Sequence, residues 1–521
     1  MGLVFEILAA LIGISSDQLK LIFCLIISYP LGSVFVRIPK SWPAVKHLFN
    51  IAVSTWFLVG LLELWSGTAQ LLASILFTYY AAKNLQGPNM PWIVFAVTMS
   101  HLTVNHIIRM VGNIGPETVE ITGTQMVMTM KLTTFAWNVW DGRQQEAELD
   151  KSQLETRITK FPSLLAFLGY VFYFPGVLVG PTIEYASYDA LVTETLFDSG
   201  PKGKGGRSVP DGRKRVAYWK MLSGIFFLIL FAIYGSTYSY DVVLEDWWLT
   251  KPLFWRIGYT QILGFIQRTK YYGVWLLTEG SCILTGLGFN GFNAAGKTQW
   301  NRMANVDVLH IEFGENVKVL LDSWNMNTNV WLRNCVYKRV TPKGKKPGFR
   351  SSMVTFGTSA FWHGLYGGYY LTFMLGGFIQ TVARMCRKNI RPLFISPTDT
   401  SPSLSKRLYD VAGTLSTLAL INYAVAPFCI LDLRRSLQAW SRMGWYGHLV
   451  VAATMAFFYS GGGRLLGAAK AKTEGEGRPT KVKMPPVDPG HVSPLSPETP
   501  SMEPQHFVPP LHQIVPPPKT D

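Results

Sequence analysis

The sequence predicts an all-α membrane protein that crosses the bilayer about eleven times. Hydrophobic residues make up 48% of the 521 residues and charged residues only 15%, whereas soluble proteins carry about 25% charged residues. Apolar runs recur along most of the chain, and each approaches the roughly 20 residues that a helix needs to span a bilayer. Open sheets are excluded in such runs, because lipid cannot satisfy the hydrogen-bonding groups at a sheet edge.

The chain carries a formal net charge of +16. In a membrane protein this excess indicates basic cytoplasmic loops before it indicates a nucleic acid, and we expect no nucleic-acid partner. The cysteines are scattered without the spacing of metal ligands, so we expect no metal site and small buried side chains at Cys24, Cys282, Cys335, Cys386 and Cys429.

The candidate membrane spans are apolar runs, and the shortest are ambiguous. Arg268 and Lys270 separate the runs 254–266 and 271–284, and we expect the run around His363 to be one continuous segment. The short run 3–14 is expected to be interfacial or the first half of a span. The other runs are 21–36, 48–65, 68–82, 92–108, 120–141, 161–179, 221–234, 254–266, 271–284, 353–382, 411–431 and 445–459.

Two runs contain polar residues that lipid would not tolerate. The run 120–141 holds five threonines and Lys131, so we expect it to face protein or water, with Lys131 snorkelling or in a structural ion pair. The run 92–108 holds His101 and His106, five positions apart and therefore not on one helix face. We expect both histidines to be hydrogen-bonded within the bundle.

Proline and glycine cluster at the end of the run 161–179. Phe174-Pro175-Gly176 is followed by Gly180-Pro181, which indicates a broken helix. Such breaks occur at membrane depth only where they line a cavity.

The domain organisation follows from a change in composition near residue 469. Residues 1–468 are predicted to form one membrane-embedded domain. Residues 469–521 hold 13 of the 31 prolines and begin with five basic residues. We expect a disordered, Pro-rich cytoplasmic tail.

His363 is the most informative residue within the apolar segment. A histidine in hydrocarbon needs a partner or a wet cavity. Glycines at 364, 367 and 368 leave room beside it for a close helix or for a ligand. His363 is therefore a candidate catalytic base on the floor of an intramembrane cavity, and a structural histidine bonded to a neighbouring helix is the alternative.

A second polar group precedes this segment. The stretch 322–332 is predicted to form a short amphipathic helix with Asn325, Thr328 and Asn329 on one face. The following segment, 338–350, has six basic residues and no acidic one, which suits either an anionic lipid surface or a phosphorylated ligand.

Several other chemistries are excluded. Residues 286–291 match the Gly-x-Gly-x-x-Gly fingerprint and residues 291–298 match a P-loop. Both motifs require a preceding strand in a βαβ unit, and here a membrane-type apolar run precedes them. The chain has no Gly-x-Ser-x-Gly nucleophile elbow.

Taken together, the motifs resemble the membrane-bound O-acyltransferase family, within it the lysophospholipid acyltransferase branch, and most of all its fungal members. One departure is Gly367, where many relatives have proline. Five stretches carry the resemblance: Trp362-His363-Gly364 with Gly368 to Phe373; Trp324-Asn325-Met326 with Thr328 and Trp331-Leu332; 286–291; Gly180-Pro181 with Glu184-Tyr185; and Gln125-Met126 through Lys131-Leu132 to Asp141-Gly142.

The resemblance implies transfer of a fatty acyl group from acyl-CoA, as co-substrate and without another cofactor, to a lysophospholipid in the endoplasmic reticulum membrane. It implies His363 and Asn325 as the catalytic pair. We expect substrate contacts at Trp324, Trp362 and Tyr366, and CoA phosphates at Lys343, Lys345 and Lys346, for which positive-inside topology is the alternative explanation.

Two other functions stay open on the sequence. The same chemistry on a sterol, a diacylglycerol or a protein would need only a different acceptor. A transporter would use the intramembrane histidine and lysine as a pathway, but its usual internal repeats are absent from the sequence.

Overall fold

The computed structural model describes residues 2–12, 14–115, 118–198, 203, 208–342, 345, 348–395 and 403–468. Within this part of the chain the fold is all-α, and β-structure is limited to isolated bridges such as Phe292–Thr298 and Val306–Trp324. The predicted tail, 469–521, lies outside the described residues. The α-helices are α1 Gly2–Ile12, α2 Ser16–Phe35, α3 Pro43–Thr55, α4 Trp65–Asn84, α5 Met90–Val111, α6 Ile121–Asp141, α7 Lys151–Thr156, α8 Leu164–Val171, α9 Tyr185–Val192, α10 Arg213–Tyr234, α11 Leu253–Thr285, α12 Val308–Glu312, α13 Val317–Ser323, α14 Met326–Leu332, α15 Phe349–His363, α16 Gly367–Asn389, α17 Leu404–Ala424, α18 Ala426–Ile430, α19 Leu433–Arg442, α20 Tyr446–Tyr459 and α21 Gly462–Ala468.

Five segments of the described chain are long and apolar enough to cross a membrane, which confirms a polytopic membrane protein. A sixth is added if α20 and α21, bent by 65°, form one span. The five segments are Ser16–Phe35, Pro43–Leu61, Met90–Val111, Arg213–Tyr234 and Leu404–Ile430.

Four further helices have 20 to 33 residues but are less apolar than these segments: α4, α6, α11 and α16. For α6 the reason is visible, because 18 of its 21 residues are buried inside the protein. A helix that is enclosed by other helices need not be apolar on every face. The prediction that 120–141 faces protein is confirmed.

Lys131 on α6 differs from its prediction. Its side chain is fully buried, and Nζ donates to the carbonyl oxygens of Val171, at 3.0 Å, and Tyr170, at 3.4 Å. These carbonyls belong to the last turn of α8, whose final carbonyls lack intrahelical partners. Lys131 therefore caps a helix, and the expected snorkelling or ion pair is wrong.

The segments 254–266 and 271–284 are one helix, α11, so their separation in the sequence analysis is wrong. Arg268 does not interrupt the helix because Glu312 pairs with it at 2.7 Å and Tyr272 accepts a hydrogen bond from it. A paired charge can lie inside a bundle that would exclude an unpaired one.

The single segment predicted over 353–382 is also wrong, because it divides into α15 and α16. The first helix ends at His363, and Gly364 follows with φ +131°, a conformation that L side chains rarely adopt. The histidine thus stands at a helix end and not in mid-span.

The predicted break after 161–179 is confirmed. α8 ends at Val171, a 3₁₀ turn follows at Phe174–Gly176, and the chain continues without helix to Glu184. Residues 178–182 line the cavity described below, so this irregular backbone has the environment that it requires.

Candidate active site

A cavity of about 580 Å³ lies between α5, α6, α11, α14, α15, α16 and α18. Both His363 and Asn325 line it, although they lie 38 residues apart in the sequence. Its volume is in the range of about 300–1,000 Å³ that is usual for small-molecule sites. The two side chains for which the sequence predicts catalysis therefore line the same cavity.

Aromatic rings hold the His363 imidazole. It stacks on Phe373, with centroids 5.1 Å apart and an interplanar angle of 21°, and meets Phe428 edge-on at 5.1 Å. Trp362 lies against it at 4.7 Å. In the part of the chain that the structure describes, no residue hydrogen bonds to either ring nitrogen. The ring is thus fixed by packing while its nitrogens stay available.

The preceding residue is held from two sides. The indole Nε1 of Trp362 donates to the carbonyl oxygen of Met126 at 3.1 Å. Nε2 of His106 lies 3.1 Å from the carbonyl oxygen of Trp362. His101, on the same helix as His106, is bonded to the Ser74 hydroxyl at 2.6 Å. The prediction that both α5 histidines are hydrogen-bonded within the bundle is confirmed.

Asn325 does not lie in the middle of a helix as predicted. It stands between α13 and α14 in the left-handed conformation, with φ 45° and ψ 53°. Asparagine tolerates this conformation better than most residues. The helix predicted over 322–332 is therefore broken at Trp324-Asn325.

The oxygen and the nitrogen of the Asn325 side-chain amide differ in their hydrogen bonding. Its Oδ1 accepts from the Thr328 hydroxyl at 2.9 Å and from Nδ2 of Asn305 at 3.2 Å. Its own Nδ2 has no partner among the described residues. Asn329 does not join this group, because its amide donates back to the carbonyls of Leu321 and Trp324.

The three predicted aromatic contacts, Trp324, Trp362 and Tyr366, all line the cavity. Trp324 packs edge-on against Trp275, with centroids 5.0 Å apart. Trp362 is 4% exposed and also packs on Trp331 at 5.6 Å, so much of its surface serves the core. Tyr366 directly precedes α16.

Of the three predicted lysines, only Lys345 lies among the described residues, where it is exposed and outside the cavity lining. Lys343 and Lys346 lie outside the described residues. Lys338 pairs with Asp150 at 2.6 Å. Burial raises the pKa of Asp150, but the hydrogen bond and charge of Lys338 outweigh it and hold this pKa below its usual value.

Arg339, the next basic residue, is also paired. Its guanidinium binds Asp141 through two bonds, of 2.9 and 2.6 Å, and lies 4.1 Å from the ring centroid of Trp137. Arg339 therefore joins the basic segment to the end of α6.

The glycines beside His363 serve close packing. The Gly368 N–H donates to the Leu431 carbonyl at 2.8 Å, and a Cβ on Gly368 would lie 2.1 Å from the carbonyl oxygen of Pro427. A Cβ on Gly367 would lie 2.8 Å from Cβ of Leu433. Of the two uses that the sequence allows, Gly367 and Gly368 provide for the close helix.

Asn305 was missed by the sequence analysis. It is 2% exposed, lines the cavity and contacts Asn325, yet it lies 20 residues earlier in a segment without periodicity. The only available signal was the polar character of residues 286–350. Among the described residues, no group of three His, Cys, Asp or Glu side chains is placed to hold a metal ion.

The fold and the site define a polytopic helical membrane protein in which an imidazole and an amide line one cavity. The model of the membrane-bound O-acyltransferase family matches residues 117–425. The chain is 40% identical over 458 residues to a lysophospholipid acyltransferase of Schizosaccharomyces pombe, covering 88% of this chain and 89% of that one. The chain belongs to the membrane-bound O-acyltransferase family and is an O-acyltransferase.

Two further relatives support this assignment. A lysophospholipid acyltransferase of Saccharomyces cerevisiae is 39% identical over 461 residues, covering 86% of this chain and 74% of that one. Membrane-bound glycerophospholipid O-acyltransferase 1 of Mus musculus is 28% identical over 462 residues, covering 86% of this chain and 91% of that one.

Proposed function

We propose that this chain transfers a fatty acyl group from acyl-CoA to the free hydroxyl of a lysophospholipid, with His363 as the base and Asn325 as a hydrogen-bond donor. The observation that carries the proposal is that these two side chains line one cavity, each with a polar atom that has no partner among the described residues. The acceptor class is taken from the two yeast relatives, both named lysophospholipid acyltransferases.

The proposed reaction is a direct transfer without an acyl-enzyme. A hydroxyl is a poor nucleophile until a base removes its proton. A ring nitrogen of His363 takes that proton while the hydroxyl oxygen attacks the thioester carbonyl carbon. The C–S bond then breaks, the new C–O ester bond remains, and the proton passes from His363 to the departing CoA sulfur.

The amide of Asn325 acts on the carbonyl oxygen. Negative charge develops on this oxygen as the hydroxyl attacks, and a preorganised N–H donor stabilises that charge more strongly than it stabilises the uncharged thioester. The unoccupied Nδ2 of Asn325 is such a donor. Its backbone in the left-handed conformation and its bonded oxygen keep it from following the substrate, which is what preorganisation requires.

The direction of α15 supports an approach of acyl-CoA from the basic segment 338–350. This helix begins at Phe349, within the segment, and ends at His363. Fifteen helical residues rise about 22 Å. CoA carries its phosphates far from its thioester, so we propose that Lys343, Lys345 and Lys346 meet the phosphates while the pantetheine arm extends to the cavity.

The remaining proposals concern the membrane. We propose about eleven spans, because helices shielded by their neighbours can cross without being uniformly apolar. We propose that residues 1–468 form the catalytic domain and that 469–521 form a cytoplasmic tail. We also propose residence in the endoplasmic reticulum, as the family resemblance implies.

The test is an assay in membranes and with purified protein, using labelled acyl-CoA and a panel of lysophospholipids. Wild type is expected to form diacyl phospholipid, and His363→Ala and Asn325→Ala almost none. A sterol, a diacylglycerol and an acceptor peptide complete the panel. Product from one of these and from no lysophospholipid would overturn the acceptor assignment, and full activity of a folded His363→Ala variant would overturn the mechanism.

A further inference from the structure

Asn305 sits in a short segment that lies antiparallel to the chain around Asn325. Val306 forms a bridge with Trp324, and the Met326 N–H donates to the Asn305 carbonyl at 3.0 Å. These backbone contacts bring the buried Asn305 side chain to the base of α14. The same contacts help to hold Asn325 in its left-handed conformation.

The orientation of the Asn305 amide is set by a backbone donor. The N–H of Asn327 donates to Oδ1 of Asn305 at 3.0 Å, and Nδ2 of Asn327 donates to the same oxygen at 3.1 Å. Because a backbone N–H can only donate, the atom of Asn305 that faces it must be the oxygen. Nδ2 of Asn305 therefore points the other way, toward Asn325.

The orientation of the Asn305 amide in turn sets the orientation of the Asn325 amide. Nδ2 of Asn305 is only a donor, so the atom of Asn325 that lies 3.2 Å away must be an oxygen. The Asn325 NH2 is then left facing the cavity. Thr328 cannot make this choice, because its hydroxyl donates or accepts equally well. Among the described residues that bond to the Asn325 side chain, Asn305 is therefore the one that decides which end of the amide is presented.

We propose that Asn305 is a positioning residue that holds the Asn325 amide with its NH2 toward the reacting carbonyl. The proposal rests on the proposed function of Asn325. A primary amide has nearly the same shape after a half-turn, so the two orientations differ mainly in their hydrogen bonds. If the amide turned, its oxygen would face the developing oxyanion and repel it.

Asn305→Asp tests this directly. One carboxylate oxygen still accepts from the Asn327 N–H, but the other replaces a donor with an acceptor and faces Oδ1 of Asn325. The Asn325 amide relieves this repulsion by turning. We expect kcat to fall at least about 10-fold, because an oxyanion donor is lost. We expect the KM for acyl-CoA to stay within about three-fold, because the substrate's ground-state contacts are kept.

Asn301→Asp is the matched control. It makes the same chemical change four residues earlier, where Oδ1 accepts from Asn290 at 2.9 Å and the side chain lies outside the cavity lining. That bond survives the change, so we expect wild-type kinetics. Asn305→Ala is a second variant that removes the donor without adding a charge, and its kcat should fall in the same direction by less.

The double variant Asn305→Asp/Asn325→Ala separates positioning from general damage. If Asn305 acts through Asn325, the double variant is no slower than Asn325→Ala, within about three-fold. Multiplied losses would overturn the proposal, as would wild-type kinetics of both Asn305 variants beside an inactive Asn325→Ala. If Asn325→Ala itself retained full activity, the proposed role of Asn325 would fail, which is a different outcome.

Discussion

Nε2 of His106 lies 3.1 Å from the carbonyl oxygen of Trp362, the residue immediately before His363. This carbonyl is in the last turn of α15, where backbone oxygens have no partner within the helix. The two residues are 256 positions apart in the sequence. A side chain from α5 thus completes the hydrogen bonding of the helix that presents the proposed base.

His106→Ala should therefore reduce both stability and turnover. Leaving a buried carbonyl without its donor costs about 1–3 kcal/mol, and the end of α15 should lose its fixed position. Thermal unfolding in detergent and kcat measure the two effects. His101→Ala is the control, because His101 lies on the same helix but bonds to Ser74 outside the cavity lining. Equal losses of turnover in both variants would contradict this role.

His363→Gln should remove catalysis and leave the fold intact. Glutamine fills a similar volume among Phe373 and Phe428 but cannot accept the hydroxyl proton. Loss of a general base reduces turnover by about 100-fold or more. The assay is acyl transfer at saturating acyl-CoA. The exposed His310→Gln variant should keep wild-type activity, and a similar loss there would indicate a nonspecific effect.

Gly368→Ala should prevent α16 from packing on α18. The added Cβ would lie 2.1 Å from the Pro427 carbonyl oxygen, and the helices would have to separate. Overpacking typically costs about 1–3 kcal/mol, and here it also strains the 2.8 Å bond to Leu431. The yield of folded protein and the midpoint of thermal unfolding measure the loss.

Gly357→Ala on α15 is the control for this comparison. A Cβ there would meet nothing within 4 Å, so the change should be neutral or slightly stabilising. Unchanged stability of Gly368→Ala would show that α16 and α18 can move apart without cost.

The lysines of the basic segment should affect substrate binding rather than folding. We expect the triple variant Lys343→Ala/Lys345→Ala/Lys346→Ala to raise the KM for acyl-CoA and to keep the thermal midpoint. The effect should shrink as salt is added, because screening weakens exposed charge pairs. An unchanged KM at low salt would contradict the proposed phosphate contact.

Arg339→Ala, unlike the lysine variant, should reduce the stability of the fold. Asp141 is nearly buried, and removing Arg339 leaves its carboxylate without the bidentate partner. Loss of one partner of a buried pair costs about 3–5 kcal/mol, reduced here because Arg339 keeps some solvent contact. The thermal midpoint of Arg339→Ala should therefore fall, whereas that of the lysine variant should not. Equal thermal midpoints of the two variants would contradict a structural role that is specific to Arg339.

The sequence by itself determined the class of fold and the family that the chain resembles, and the proposed catalytic pair follows from that resemblance. Apolar runs near membrane length have few structural solutions in lipid, so helices could be predicted without coordinates. His363 could be singled out because a histidine among glycines in an apolar segment is a recognisable local pattern, whereas Asn325 was paired with it through the resemblance to the membrane-bound O-acyltransferase family. The broken helix after 161–179 could be predicted because proline and glycine act locally.

Only the tertiary structure decided where helices end, which residues meet and which atoms stay free. Arg268 looked like an interruption because its partner, Glu312, lies 44 positions away. The end of α15 and the left-handed turn at Asn325 are both held by distant contacts, from His106 and from the segment around Asn305. Hydrogen bonds between residues far apart in the chain leave no periodic trace in it, and they decide here which atoms face the cavity.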